Sequence, residues 1–197
     1  MLRVALTGGI ATGKSYVLQQ FRQRGVPCLD ADDLAHGVTT AGTEATAAIG
    51  ERFGPDVLDS SGAVDRHKLA QVVFADAAAR RELEAIVHPA IYRSIAAGFR
   101  AFELLEHSPL AIADIPLLYE TDHADDFDRV IATTCSREMQ IRRLRDRGLT
   151  NVEAEQRLAA QMSAAEKASR ADYVIRTDGT FEQTNTQVDR LLKILKS

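Results

Sequence analysis

The sequence predicts an α/β fold: a five-stranded parallel sheet held between helices in three layers. Three observations predict it. Short apolar runs alternate with helical stretches along the chain, the pattern of parallel strands buried on both faces. The first run ends in Gly8-x-x-x-x-Gly13-Lys14-Ser15, a turn that needs a strand before it and a helix after it. About 80 residues of mostly helical pattern separate the second and third runs, far more than one crossover helix uses, which marks a helical insertion.

Taken in order, residues 2–7 form an apolar run ending in two glycines and predict the first strand. From Gly13, the residues Val17, Leu18 and Phe21 recur at helix spacing until Gly25. Residues 26–29 predict the second strand, 110–115 the third, 129–134 the fourth and 173–175 the fifth. The insertion predicts helices over 44–53, 66–74, 77–87 and 89–105. His88-Pro89 separates the last two, because proline suits the first turn of a new helix and the residue before it avoids α geometry. The pair predicts a sharp bend, where a lone histidine is most simply structural. Residues 137–170 are charged, Arg-rich and helical. Val188, Leu191, Leu192 and Leu195 share one helical face in the tail, which packs back on the sheet. The chain is expected to form one domain over 1–197. Its core is about 1–36, 106–136 and 171–197, with a helical substrate-side subdomain over about 37–105 and a lid over about 137–170.

The chain's 197 residues suffice for one sizeable core. Its 45% hydrophobic and 26% charged content is ordinary for a soluble globular protein. The formal net charge of −4 lacks the Lys and Arg excess that neutralising nucleic-acid phosphates requires, although a local basic cluster spans 137–147. No run approaches the ~20 apolar residues of a membrane helix, and no basic-then-apolar leader precedes the first strand. The expectation is a cytoplasmic protein with no nucleic-acid or membrane partner, monomeric or weakly homo-oligomeric. Cys28 and Cys135 sit in apolar runs without metal or disulfide spacing, as small buried hydrophobes do.

The glycine-rich turn carries the chemistry. A chance match to its spacing in a chain this long has odds of about one in a hundred, and here a strand precedes it and a helix follows. Its glycines let backbone N–H groups converge on a phosphate, and the helix points its positive end at the same place. Gly9, Ala11, Thr12, Gly13, Lys14, Ser15 and Tyr16 are therefore the expected ATP contacts. Lys14 reaches the β- and γ-phosphates, and the Ser15 hydroxyl is offered to Mg²⁺. The fold is that of a P-loop NTPase.

Two acidic strand ends follow. In an open α/β sheet, ligands sit beyond the carboxyl ends of the strands. The second strand ends in Asp30-Ala31-Asp32-Asp33. Phosphoryl transfer to an alcohol needs a group that orients the hydroxyl and takes its proton. Asp32 is the candidate base, and helix capping by Asp30 or Asp32 is compatible with it. The third strand ends in Asp114, which serves either as a Mg²⁺ ligand or as a strand-end turn residue. Pro116, Leu117 and Leu118 then form either an apolar rim for substrate or a packed loop.

Gln140, Arg142, Arg143, Arg145 and Arg147 cluster in the basic segment, with Arg143 and Arg147 sharing a helix face. Such a segment can close over ATP and neutralise charge on the γ-phosphate, or be a solvated helix with surface ion pairs. Arg143 and Arg147 are the candidates for the first role.

At this point the motifs resemble a known family nearly end to end. The sequence 6–10 with Gly13-Lys14-Ser15, Asp30-Ala31-Asp32, His88-Pro89, the run 114–120, Gln140 with Arg143, Arg147 and Gln161, and 171–175 followed by Gly179 are together similar to the dephospho-coenzyme A kinases. The resemblance implies a nucleotide-binding core, a helical coenzyme A-binding subdomain and a lid. It implies that a ribose 3′-hydroxyl attacks the γ-phosphate of ATP, with Asp32 as base and His88 on the coenzyme A side. The sequence departs from the family pattern at Ala11-Thr12, Tyr16, His36, Thr177 and Gly148. His36 stands for a usual arginine and would hold an anion only weakly near neutral pH. These departures bear on affinity and rate more than on reaction class.

Other classes fit less well. A nucleoside monophosphate kinase shares the loop and lid, but a phosphate acceptor needs arginines and no base. A GTP switch needs an Asn-Lys-x-Asp motif, which the sequence lacks. A nucleic-acid end kinase is disfavoured by net charge.

Overall fold

A computed structural model gives the fold over residues 1–197, the side chain of Ala75 set aside. The backbone groups into two compact units, one formed by Met1–Asp30 with Phe99–Ser197, the other by Ala31–Gly98.

The first is a sheet unit. Its strands β1 (Leu2–Gly8), β2 (Cys28–Asp30), β3 (Leu110–Asp114), β4 (Arg129–Thr134) and β5 (Tyr173–Arg176) are all parallel, in the order β2-β3-β1-β4-β5. This is the expected five-stranded parallel sheet. The second strand begins two residues later than the apolar run suggested. Helix α1 (Lys14–Gln23) ends in a Schellman turn, in which Val26 N–H bonds Phe21 O (3.2 Å) and Gly25 N–H bonds Arg22 O (3.0 Å). Val26 is thereby committed to the helix exit, and Pro27, which has no N–H, contributes only its carbonyl, accepting from Ile112 N–H at 2.9 Å.

The two sheet faces differ in side-chain size. Val4 and Leu6 lie in register with Ile112, Asp114 and Ile131, so one face carries large aliphatics under α1 and α9 (Phe181–Leu195). Val17, Leu18, Phe21, Val188, Leu191 and Leu192 close this core. The alternate positions are Ala5, Ala111, Ala113 and Ala132, all fully buried. Small side chains there let a helix approach closely. Helix α8 (Ala164–Arg170) packs on β1 and β4, preceded by α6 (Arg137–Asp146) and α7 (Asn151–Ala159). The side chains of Ser136, Thr150 and Ser163 cap α6, α7 and α8 respectively.

The second unit is helical: α2 (Ala31–Val38), α3 (Glu44–Phe53), α4 (Arg66–Ala75) and most of α5 (Ala77–Leu105). Ile49, Val57, Val64 and Leu69 form its core with Phe53, Leu83, Ile86 and Val87 around them. The two helices expected on either side of His88-Pro89 are one continuous helix, with Pro89 inside it. A proline there removes one backbone bond, at a cost of about 3 kcal/mol. Buried residues on both sides (Ala79 before it, Ala90, Ile95 and Phe99 after it) hold the helix through the defect, so tertiary packing overrides the local signal. No helix among the described residues is long and apolar enough to cross a membrane.

Candidate active site

The site is built on the carboxyl end of β1. Gly13 is the N-cap of α1 in the left-handed region (φ 83°), which a Cβ would strain. Val17 N–H makes a bond to Gly13 O at 3.2 Å, so the N–H groups of Lys14, Ser15 and Tyr16 have no acceptor within the helix. Gly9 faces α8: a Cβ there would stand 2.7 Å from Ala164 Cβ. Ala11 also takes a left-handed backbone (φ 57°), which costs roughly 1–2 kcal/mol for a residue with a Cβ. Its methyl is buried in a small cluster with Leu144 of α6 and Ala154 of α7, which explains how alanine is accommodated there.

Threonines brace the turn from below. Thr12 Oγ1 donates to Gly9 O (2.7 Å) and shares a bond with Thr133 Oγ1 (2.7 Å), while Thr177 Oγ1 donates to Thr12 O (2.6 Å). Thr177, one of the departures in the sequence, is thus a strut of the loop.

Charge is concentrated where the loop opens. Lys14 Nζ pairs with Asp114 Oδ1, a carboxylate whose side chain is only 3% exposed. Asp114 stands in register with Asp30 on the neighbouring strand, so both carboxylates lie on the same sheet face at the same end. Ser15 is exposed on the first turn of α1.

Arg143, expected over the γ-phosphate, has its guanidinium on main-chain oxygens: Nη1 donates to Ala11 O (3.0 Å), and Nη2 to Thr177 O (2.7 Å). Gln140 Nε2 likewise donates to Ile10 O at 2.6 Å. Helix α6 therefore grips the loop directly. Arg143 and Arg147 both line a cleft of about 370 Å³ with Gly13, Tyr16, Thr177 and Phe181. Tyr16 and Phe181 meet at 4.7 Å between ring centroids, and the Tyr16 hydroxyl donates to Asn185 Oδ1 at 3.0 Å.

The remaining expected residues are placed as follows. Asp32 is exposed on the first turn of α2, and His88 is half-buried in the middle of α5. Pro116 is half-buried and Leu117 is 36% exposed, but Leu118 is fully buried. The apolar rim expected over 116–118 is thus narrower than the sequence suggested: the chain turns after β3, and that turn buries Leu118 together with Tyr119 while leaving Leu117 outside. Burial pushes the Cys28 thiol up to about 12 and raises that of Cys135, consistent with unreactive small hydrophobes.

Two residues escaped the sequence pattern. Lys167 lies in a stretch that reads as a solvated helix, yet its side chain is fully buried. Arg66 brings a guanidinium to His36 Nε2 (3.1 Å) and Ala35 O (3.1 Å) in the helical unit. It supplies a fixed positive charge beside His36.

Comparison with known proteins places this geometry. The family model of dephospho-CoA kinase matches residues 2–183. The dephospho-CoA kinase of Anaeromyxobacter dehalogenans is 45% identical over 194 residues, covering 98% of this chain and 92% of that protein. That of Geobacillus kaustophilus is 40% identical over 193 residues, covering 98% and 96%. Among solved structures, TT1252 from Thermus thermophilus superposes with a TM-score of 0.82 at 31% identity, covering 100% of this chain and 98% of the other. With its acidic strand ends, its phosphate-binding turn and this end-to-end match, the chain belongs to the dephospho-CoA kinase family.

Proposed function

We propose that the chain transfers the γ-phosphoryl group of ATP to the ribose 3′-hydroxyl of dephospho-coenzyme A, giving coenzyme A and ADP in the last step of coenzyme A biosynthesis. The single observation that carries this reading is the pairing of Lys14 with buried Asp114 at the mouth of the phosphate loop, in register with Asp30 at the end of β2. The chain leaves that strand end directly into α2, so Asp32 lies two residues beyond it.

In this reading the open N–H groups of 14–16 bind the phosphate tail and Lys14 neutralises its β- and γ-oxygens. Asp32 orients the acceptor hydroxyl and takes its proton as the new O–P bond forms; the bond from the γ-phosphorus to the bridging oxygen breaks, and ADP leaves. Ser15 and Asp114 form a small set of hard oxygen donors, which fits Mg²⁺ held through phosphates and water. Bound there, Mg²⁺ would spread the negative charge of the phosphates. The cleft between Arg147, Tyr16 and Phe181 suits the nucleotide base, the helical unit takes the coenzyme A side with His88, and Leu117 meets its less polar part. The protein works in the cytoplasm as a monomer or weak homo-oligomer.

The test is ADP release with dephospho-coenzyme A, adenosine, AMP, CMP and shikimate as acceptors, with and without Mg²⁺. Strong preference for the first, lost on chelation, is expected. Preference for any other acceptor overturns the assignment.

Arg143 offers a second check. Lysine cannot span Ala11 O and Thr177 O as the planar guanidinium does. Losing one or two charge-assisted bonds at the loop is expected to lower kcat/KM for ATP by about 10- to 100-fold in Arg143→Lys. Steady-state kinetics with ATP varied measure it; an unchanged value removes Arg143 from the site.

A further inference from the structure

Lys167 is a buried cation that the reaction scheme above does not use. It lies on α8, and its side chain is 0% exposed. Its Nζ donates to Pro116 O at 2.6 Å and pairs with Glu120 Oε1 at 2.8 Å. Both partners belong to the loop that leaves β3 immediately after Asp114. The same Glu120 oxygen accepts from Met162 N–H at 3.0 Å, and Pro116 O also accepts from Thr7 Oγ1 at 3.3 Å. One turn further along α8, the Arg170 guanidinium lies 4.4 Å from the Tyr119 ring centroid. The loop 115–120 is therefore held at three points by one short helix.

That helix touches the phosphate loop as well. Ala164, one turn before Lys167, is the residue that a Cβ on Gly9 would strike. So α8 stands between two loops, the phosphate loop at Gly9 and the loop 115–120, and it is in close contact with each. Burying an ammonium costs several kcal/mol unless it is paired and hydrogen-bonded. Here burial lowers the Lys167 pKa, Glu120 opposes that shift, and the nearby Lys14 ammonium adds to it. A leucine or methionine would serve better if only packing were needed.

We infer that Lys167 is a positioning residue for phosphoryl transfer, locking the loop after β3 to α8 and hence in fixed relation to the phosphate loop. The inference rests on the proposed function in one respect: it takes the loop 115–120 as the acceptor side. A side chain holding that rim acts on the acceptor's orientation more than on nucleotide binding, since misplacement of a reacting group by about 1 Å can cost on the order of 100-fold.

The experiment compares wild type with Lys167→Met, Lys167→Arg and Glu120→Gln. It measures the ATP dissociation constant, kcat, KM for dephospho-coenzyme A, and thermal melting. Wild-type turnover of dephospho-coenzyme A is the control for the proposed function; if it is absent, that reading fails and the ATP-binding arm is still read. Lys167→Met is expected to lose about 30-fold or more in kcat/KM for the acceptor, with ATP affinity within about threefold of wild type. Lys167→Arg, which can still donate to both oxygens, is expected to regain most of the loss. If Lys167→Met is unfolded at assay temperature, the decision passes to Glu120→Gln. That variant keeps an acceptor for Lys167 and Met162 while removing the charge, and about fivefold or greater loss for the acceptor alone is expected. Wild-type acceptor kinetics in a folded Lys167→Met or Glu120→Gln, or equal losses for ATP and acceptor, overturn the inference.

Discussion

Asp32→Asn is expected to lower kcat by about 10³- to 10⁴-fold, near the upper end of what general base catalysis supplies, while ATP binds within about threefold of wild type. The substitution keeps the size and most hydrogen-bonding capacity of the side chain but removes the charge that accepts the proton. Asp32 is exposed on the first turn of α2, beyond the strand end where Asp30 and Asp114 lie in register. An exposed carboxylate supports little packing, so the fold should melt as wild type does. Asparagine is also a competent residue near a helix N-terminus, so loss of a capping interaction alone cannot produce an effect of this size. Single-turnover transfer and ATP binding, measured on the same preparation, separate chemistry from affinity. A fully active Asp32→Asn protein removes the assignment of the base.

Lys14→Ala is expected to lower kcat/KM for ATP by about 10³-fold, through both kcat and nucleotide affinity. Removing one preorganised donor at a developing charge costs on the order of 10²- to 10³-fold. Lys14 further acts in the ground state, so affinity falls too. The structure adds a cost that the motif alone does not reveal. Asp114 is 3% exposed and pairs with Lys14, and taking away the ammonium of a pair buried on one side costs about 3 kcal/mol. Lys14→Ala should therefore melt several degrees lower, and nucleotide-independent destabilisation is the signature that distinguishes it from Asp32→Asn. Calorimetry without nucleotide measures this directly. An unchanged melting temperature would mean that the Lys14–Asp114 pair contributes nothing to the resting fold.

How far the sequence was legible depends on which interactions set each feature. The parallel sheet was legible because strands buried on both faces must be short apolar runs, and β1, β3 and β4 are such runs. Helix α3 was legible to the residue and α9 by its apolar face, since their apolar positions keep helical spacing. The start of β2 was displaced because the Schellman turn at Gly25 uses the N–H of Val26. The continuity of α5 through Pro89 was hidden, because its packing partners, such as Ile49 and Val57 before it in the chain and Phe127 after it, are distant in sequence.

The candidate site was legible where backbone chemistry demands particular residues, as in the turn from Gly8 to Ser15. It was not legible where a partner is distant in sequence. That Arg143 holds the carbonyls of Ala11 and Thr177, over 30 residues from the nearer of them, leaves no local mark. Lys167 was hidden for a similar reason: its buried neighbour Ala164 is too small to announce a buried face, yet that smallness lets α8 approach Gly9 closely enough to help enclose a lysine.

A crystal structure with a non-hydrolysable ATP analogue, Mg²⁺ and dephospho-coenzyme A tests the central claim most directly. The β-phosphate is expected within the turn 8–15, with Lys14 on the γ-phosphate and an Asp32 carboxylate oxygen about 3 Å from the ribose 3′-oxygen. Nucleotide bound elsewhere, or Asp32 pointing away from the acceptor hydroxyl in that ternary complex, contradicts the account.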